Sequence, residues 1–228
     1  MAIDKEKFEA NEKDVTIYPA TSENAPLIVL NTYTGDGESV YKAMQEIACP
    51  DCNLLVVGNL KWDHDMTPWY CPPLGKEDTP CTGGANEYIK KLLGDILPKA
   101  KEMIKGSPVF TGIAGYSLAG LFAVYAMYQC DTFDRVASMS GSLWFPDFKE
   151  YALSHEPKKR PEKMYISLGD AEAKTRNQSL RTVQVNTEEL VTHYKEIGID
   201  VRWELNPGNH FKDAAIRSAK GIVGILSM

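Results

Sequence analysis

The sequence lacks any long apolar run, and it has only one compact run of basic residues. No stretch approaches the roughly 20 apolar residues that span a bilayer, so no membrane partner is expected. Acidic residues outnumber basic ones by 31 to 25, and the net charge of −6 disfavours nucleic acid. The basic run, residues 158–160, lies between two prolines and is interpreted as a solvated loop. The first residues also lack the apolar core of a signal peptide, so a cytoplasmic protein is expected.

Cysteine is scarce, and its odd number of five cannot complete a disulfide framework within one chain. Cys49 and Cys52 have the spacing of a metal or redox pair, and Cys71 and Cys81 could complete a four-thiolate zinc site. However, nine residues separate the second pair, whereas structural zinc sites usually repeat a short spacing. Reduced thiols are the preferred interpretation. The sequence also has no phosphate-binding glycine loop, so neither a metal nor a cofactor is expected.

What the sequence does contain is an alternation of short β-rich runs and helical patterns. This alternation is typical of a mostly parallel, doubly wound sheet between two layers of helices, an α/β fold with three layers (αβα). A length of 228 residues, 43% of them hydrophobic, fits one domain spanning residues 1–228. The predicted strands are an edge strand at 15–18 and buried strands at 27–30, 54–57, 109–114, 136–139, 164–168 and 201–205.

Helical periodicity appears in four segments, at 88–100, 118–128, 180–197 and 211–223. The segment 118–128 is apolar nearly all round, so it is predicted to lie buried at the centre. Gly198 is predicted to end the third helix in a left-handed conformation. Two connections, at about 61–84 and 142–161, are long insertions that follow predicted strands. They are candidate substrate walls, because loops at the carboxyl ends of parallel strands line the ligand crevice.

Residues 115–120 read GYSLAG and join a predicted strand to the buried helix. A serine on such a sharp turn projects its hydroxyl above the sheet, and small neighbours let strand and helix pass closely. Ser117 is therefore the candidate nucleophile, and the amide of Leu118 is a candidate oxyanion donor at the helix N-terminus. A short pattern of this kind also arises by chance, but its place at a strand-to-helix junction favours the catalytic interpretation.

The chain has four histidines, any of which could in principle serve as the general base. In hydrolases with this turn, the histidine follows the last strand and comes after the acid along the chain. His210 alone fits that order. The acid is expected in the loop after the 164–168 strand, where Asp170 and Glu172 are both available and the residues alone do not choose between them.

With these residues placed, the chain resembles the putative-esterase family of α/β-hydrolases, which includes esterase D, feruloyl esterases, siderophore esterases of the enterobactin type and mycolyltransferases. The resemblance runs from about residue 26 to the end. Its most specific segments are GYSLAG at 115–120, SGSLW at 140–144, GDAE at 169–172 and GNH at 208–210. It implies an α/β-hydrolase fold, and it favours Glu172 as the acid, with Asp170 as the alternative. Some members manage with a Ser-His pair alone.

One departure from the family concerns the oxyanion hole. Many members carry His-Gly after the first buried strand, where this chain has Asn31, Thr32 and Tyr33. The resemblance therefore implies that the second donor is the amide of Thr32 or Tyr33.

The function expected from these residues is hydrolysis of a small-molecule carboxylic ester through an acyl-enzyme, on a small or aromatic acyl group. Trp62 and Trp144, in the two long insertions, and Tyr116, beside the serine, are the candidate substrate contacts. Two rival functions use the same scaffold. A thioesterase or acyltransferase would share the catalytic residues, and a non-catalytic binding protein would share only the fold.

Overall fold

The computed structural model describes residues 4–227, which contain a central eight-stranded sheet and a two-stranded hairpin. A π-helical turn (Leu92–Ile96) joins two of the helices into one continuous segment, and a 3-10 turn (Leu180–Thr182) precedes another helix. The strands are β1 (Glu6–Ala10), β2 (Lys13–Tyr18), β3 (Leu27–Asn31), β4 (Asn53–Gly58), β5 (Tyr70–Cys71), β6 (Cys81–Thr82), β7 (Thr111–Tyr116), β8 (Arg135–Met139), β9 (Lys163–Gly169) and β10 (Asp200–Asn206). The helices are α1 (Glu38–Glu46), α2 (Trp62–Asp65), α3 (Ala85–Lys91), α4 (Leu97–Glu102), α5 (Leu118–Gln129), α6 (Phe148–Ser154), α7 (Val183–Glu196) and α8 (Ala214–Leu226).

The large sheet has the strand order β1-β2-β4-β3-β7-β8-β9-β10. Pairing is antiparallel from β1 through β2 to β4 and parallel from β4 to β10. Strands β3 and β4 are buried along their whole length, as expected for strands covered by helices on both faces. The predicted mostly parallel, doubly wound α/β fold is confirmed.

Helices cover both faces of the sheet and enclose two apolar cores. One face packs against α3, α4, α5 and α7, and the other against α1 and α8. Every residue of α5 except Gln129 is buried, which agrees with its nearly uniform apolar sequence. Gly198 has φ of 88°, the left-handed conformation predicted for the end of α7. Strand β7 lies in the middle of the sheet, between the layers of helices. Its carboxyl end opens onto the crevice between the connections at 61–84 and 142–161.

Three expectations about element boundaries were wrong. Residues 15–18 belong to β2, which is not an edge strand, because β1 pairs along its outer side. Val109 lies outside β7 with 71% of its surface exposed, and Phe211 lies before α8 with 85% exposed. Val109 and Phe211 are apolar residues next to the ends of apolar patterns, and such a pattern does not distinguish a core side chain from an exposed one in the adjoining loop.

The two long connections contain short elements of their own. The segment 61–84 includes α2 and the hairpin β5–β6, and the segment 142–161 includes α6. The first connection follows β4 and the second follows β8. These two strands run in the same direction, so both connections lie at the same edge of the sheet. Within residues 4–227, no helix is both long and apolar enough to cross a membrane.

The cysteines do not converge on one site. Cys71 and Cys81 face each other in the β5–β6 hairpin and belong to the core on one face of the sheet. Cys52 belongs to the core on the other face, with Cys49 packed against it. The four-thiolate zinc arrangement considered from the sequence is therefore not formed, because the sheet separates the two pairs.

Candidate active site

The turn between β7 and α5 holds Ser117 in an uncommon backbone conformation, with φ of 60° and ψ of −125°. A non-glycine residue rarely adopts positive φ, and such strain is tolerated where the surrounding structure fixes it. The turn is tight because its neighbours are small. A Cβ added at Gly115 would overlap the carbonyl group of Ala119, and one added at Gly120 would come within 2.8 Å of Gly141 Cα. The sequence GYSLAG thus lets the helix start directly over the strand and lifts the serine hydroxyl into the crevice.

His210 reaches this hydroxyl from the loop after β10. Its Nε2 lies 3.0 Å from Ser117 Oγ, although the two residues are 93 positions apart in the chain. That distance is within hydrogen-bonding range for a nucleophile and its base.

Glu172 meets the opposite side of the same imidazole. Its Oε2 lies 2.7 Å from His210 Nδ1, while Oε1 accepts hydrogen bonds from Ser140 Oγ (2.7 Å) and the Gly169 amide (2.6 Å). Burial raises the pKa of this carboxyl, but the hydrogen bonds from His210, Ser140 and the backbone amide outweigh burial, so the pKa lies below its usual value. The carboxylate is therefore ionised at neutral pH and can accept a hydrogen bond from Nδ1–H.

Asp170, the other candidate acid, points elsewhere. Its Oδ1 accepts a hydrogen bond of 2.8 Å from the Gly208 amide, and the residue is exposed. Of the two carboxylates that the sequence left open, Glu172 alone contacts the imidazole. Asp170 instead ties the acid loop to the loop that carries the histidine.

The remaining histidines lie outside the serine crevice. His64 Nδ1 lies 2.7 Å from Thr82 Oγ1 and fastens α2 to the hairpin. His155 is exposed at the end of α6, and His193 lies on α7.

Two backbone amides remain candidate donors for an oxyanion. Leu118 begins α5, and its amide has no acceptor within the preceding turn. Tyr33 follows β3, and neither its amide nor that of Leu118 donates to a protein group within the described residues. The amide of Thr32 donates to the Val57 carbonyl at 3.0 Å, so the expectation that Thr32 serves as a donor is corrected. Tyr33 is the remaining candidate at this turn.

Tyr116, expected to contact substrate, does not line the crevice. Its hydroxyl donates to the backbone carbonyl of His210 at 2.7 Å, and burial is the largest cause that raises its pKa. The side chain points away from the crevice because residues alternate between the two faces of a strand. Tyr116 therefore holds the histidine loop in place rather than binding substrate.

Two polar residues of the site were not assigned from the sequence. Ser140, with φ of 46°, donates to Glu172, and Arg217 of α8 lies behind the same carboxylate with Nη1 3.4 Å from Oε1. Ser140 lies in the SGSLW segment that carries part of the family resemblance. Arg217 gave no signal, because a lone arginine in an amphipathic helix is ordinarily a solvated side chain.

A cavity of about 580 Å³ opens above Ser117 and has the volume of a small-molecule site. Both tryptophans proposed as substrate contacts, Trp62 and Trp144, line it. Its apolar and aromatic walls are completed by Leu74, Cys71, Cys81, Leu180, Val183 and Phe211. Both long insertions thus contribute side chains to the cavity, as their positions in the sequence predicted.

Charge in this cavity has one sign. Besides Glu172, its lining includes Asp63, Glu77 and Asp78, and it includes no lysine or arginine. Asp63 accepts a hydrogen bond from Thr79, and none of the three carboxylates forms a salt bridge within the described residues. The entrance therefore carries uncompensated negative charge.

The chain is similar in sequence or in fold to several known proteins. The chain is 23% identical over 177 residues to the uncharacterized protein YbbA of Bacillus subtilis (strain 168), covering 73% of this chain and 71% of that protein. The solved siderophore hydrolase EstA from Aspergillus nidulans superposes with a TM-score of 0.76 at 19% identity, over 99% of this chain and 95% of EstA. An IroE-like serine hydrolase from Shewanella oneidensis gives 0.76 at 17% identity, over 96% of this chain and 78% of that one.

At these identities the solved structures establish the fold, which is that of α/β-hydrolases. The family assignment comes from the sequence itself, because the family described as Putative esterase matches residues 34–210. That match includes the serine turn, the acid loop and the histidine. The expectation of an esterase is confirmed by this match, and the chain belongs to the Putative esterase family.

Proposed function

We propose that this chain hydrolyses carboxylic esters in two steps, with Ser117 as the nucleophile. The observation that carries the proposal is a continuous line of contacts from nucleophile to base to acid. Ser117 Oγ lies 3.0 Å from His210 Nε2, and His210 Nδ1 lies 2.7 Å from Glu172 Oε2. Adjacent groups in this series are within hydrogen-bonding distance of each other. The last of them, the buried Glu172, is an ionised carboxylate.

The protonation states follow from the direction of these contacts. Because the Glu172 carboxylate accepts a hydrogen bond from Nδ1–H, the proton of the neutral imidazole stays on Nδ1, and Nε2 has a lone pair that can take the Ser117 proton. The serine oxygen attacks the ester carbonyl, and the imidazolium then gives its proton to the departing alcohol. Water, deprotonated by His210, attacks the acyl-enzyme and releases the carboxylic acid, which restores the serine hydroxyl.

The developing oxyanion is held by the amides of Leu118 and Tyr33. The Leu118 amide also benefits from the partial positive charge at the N-terminus of α5. Loss of one such donor typically costs about 10²- to 10³-fold in turnover.

The shape and charge of the cavity favour a neutral or cationic ester with a small or aromatic acyl group. Trp62 and Trp144 offer flat surfaces for an aromatic ring, and the volume of about 580 Å³ accommodates a small molecule. Asp63, Glu77 and Asp78 repel an anionic substrate at the entrance. The solved structure of EstA is described as that of a siderophore hydrolase, so siderophore esters belong in the substrate panel beside simple aryl and alkyl esters.

The proposal is tested by substitution of the nucleophile. We expect Ser117→Ala to lower hydrolysis of p-nitrophenyl acetate and of a feruloyl ester by on the order of 10⁶-fold in kcat. Ser154→Ala, at the exposed end of α6, is the matched control and should keep wild-type rates. Hydrolysis by Ser117→Ala at a rate near that of the wild type would contradict the proposed function.

A further inference from the structure

Arg217 lies in the first turn of α8 and is 2% exposed, which makes it one of the largest fully buried side chains in the described residues. Arginine is almost never fully buried unless its charge is paired. Arg217 lies behind the contacts that join Ser117, His210 and Glu172, and it does not line the cavity.

The guanidinium bridges the acid and the loop that carries the base. Nη1 lies 3.4 Å from Glu172 Oε1 and donates to the carbonyl of Asn209 at 3.1 Å, while Nη2 donates to the carbonyl of Pro207 at 3.0 Å. Nη1 also lies 3.3 Å from the hydroxyl of Ser140, which itself holds the Glu172 carboxylate. Arg217 thus contacts both the Glu172 carboxylate and the backbone of the loop that carries His210. The distance between these two groups determines where the imidazole lies.

The histidine loop is held at every carbonyl from residue 207 to residue 210. Arg217 donates to the first and the third of these oxygens. The second accepts from the amide of Ala171 at 3.1 Å, and the fourth accepts from the Tyr116 hydroxyl at 2.7 Å. Without Arg217, the Pro207 carbonyl would lose its donor and the Asn209 carbonyl would keep only the Lys212 amide at 3.3 Å; both flank the glycine at 208, whose φ is 109°. Glycine is the most flexible residue, so this loop depends on its external donors.

From this geometry we infer that Arg217 is a positioning residue of the reaction. It fixes the histidine loop against Glu172 and balances the charge of that buried carboxylate. A guanidinium suits this role because its planar fork directs several N–H groups at separate acceptors, whereas a lysine ammonium has a single nitrogen. The inference rests on the proposed function, since it assigns to Arg217 an effect on the same Ser117–His210 contact.

The expected effect follows from where Arg217 acts. Because the side chain does not line the cavity, its loss should leave KM for p-nitrophenyl acetate within about twofold of wild type. A displacement of about 1 Å in a catalytic group can cost about 10²-fold in rate, so we expect kcat to fall by about 10- to 100-fold. If Arg217 only stabilised the fold, its loss would not change the rate per folded molecule. A fall in kcat at constant KM, expressed per folded molecule, therefore distinguishes a positioning role from a structural one.

Arg135 provides the matched control because it anchors the same helix far from the site. Its Nη1 donates to the carbonyl of Ile225 at 2.7 Å, and its guanidinium lies 3.9 Å from the centre of the Phe110 ring. Loss of Arg135 removes an arginine contact to the end of α8 without touching residues 207–210 or Glu172.

The experiment compares Arg217→Gln, Arg217→Lys and Arg135→Gln in the full chain, with kcat, KM and thermal unfolding measured for each. We expect all three to unfold at lower temperature than wild type. Only the two Arg217 variants should lose kcat, and the lysine variant should regain no more than part of it, because one ammonium cannot reach both loop carbonyls.

Three results would overturn the inference: wild-type kcat in folded Arg217→Gln, an equal loss of kcat in Arg135→Gln, or full recovery by Arg217→Lys. Failure of both Arg217 variants to fold, while Arg135→Gln folds, would also overturn it by assigning Arg217 to the fold alone. Wild type and Ser117→Ala are measured on the same substrates. If these two hydrolyse esters equally, the proposed function fails, and that result is distinct from every outcome of the arginine series.

Discussion

The side of the cavity that holds Ser117 and the side formed by residues 72–80 are held in different ways. On the first side, the reacting groups sit on turns at the carboxyl ends of β7, β9 and β10, and buried hydrogen bonds fix them. On the second side, the connection between β5 and β6 is mostly exposed. The turns of the sheet thus determine the type of reaction, while an insertion at the edge of the sheet supplies much of the cavity lining.

This difference assigns distinct kinetic effects to the two sides. Changes among the turns should act on kcat, because they alter the alignment of groups that react. Changes in the insertions should act on KM and on the preference between esters, because those side chains line the cavity away from Ser117, where we propose that the substrate binds.

The largest effect is expected at the base. Replacement of His210 by alanine removes the acceptor for the Ser117 proton and should lower kcat by on the order of 10⁶-fold on every ester. The matched control is His193→Ala on α7, which should leave kcat unchanged. A substrate-dependent loss in His210→Ala would break the proposed separation between the two sides. Stopped-flow and steady-state assays on acetyl and feruloyl esters provide the measurement.

The acid loop offers the next test, because two carboxylates stand two residues apart and only one contacts the imidazole. Glu172→Gln presents an amide to Nδ1, favours the unproductive tautomer and should lower kcat by about 10³- to 10⁴-fold. Asp170→Asn keeps an acceptor for the Gly208 amide and should change kcat little. If the two variants lost activity equally, or if Asp170→Asn were the more damaging, the role given to Glu172 would be wrong.

The aromatic walls should show the opposite kinetic pattern. Trp62→Ala and Trp144→Ala remove ring contacts worth about 0.5–1.5 kcal/mol, so KM for a feruloyl ester should rise by about 2- to 10-fold. KM for acetyl esters should change less, since an acetyl group does not reach both rings. Trp203→Phe, on β10, is the control. An unchanged ratio of feruloyl to acetyl KM would remove the tryptophans from the substrate site.

The smallest effect is expected from the charges of the entrance. Replacement of Asp63, Glu77 and Asp78 by their amides should improve kcat/KM for an anionic ester relative to a cationic one by a few-fold. The gain should shrink as salt rises, because exposed charges are screened. Glu46→Gln, on α1, is the charge control. Equal gains for both esters, or a gain that salt does not change, would show that the acidic lining does not select by charge.

The sequence predicted the residues whose placement depends on local turn chemistry. Ser117 was found because small neighbours and a strand-to-helix junction impose its turn, and His210 was found from its order along the chain. Between Asp170 and Glu172 the residues alone gave no choice, because the direction of each side chain depends on how the loop folds back onto residues 207–210. The family resemblance favoured Glu172, which is the carboxylate that contacts the imidazole.

What could not be predicted involves contacts between distant segments. Strand β1 is charged and mostly exposed, and only Phe8 and Ala10 pack against the core, so its apolar alternation is too short to predict a strand and its pairing with β2 appears only in the structure. The Thr32 amide is bonded to β4, and the Tyr116 hydroxyl reaches the histidine loop. Arg217 belongs to the same class, since its five hydrogen-bonding partners come from four other parts of the chain.

The central claim is that the Ser117 hydroxyl is activated by His210, and covalent labelling tests it most directly. Wild-type protein is treated with a fluorophosphonate probe, and the modified peptide is identified by mass spectrometry, with Ser117→Ala and His210→Ala treated in parallel. The account predicts one probe per chain on Ser117, no labelling of Ser117→Ala and a severe loss of labelling rate in His210→Ala. Stoichiometric labelling at another serine, or equally fast labelling of Ser117 without His210, would contradict it.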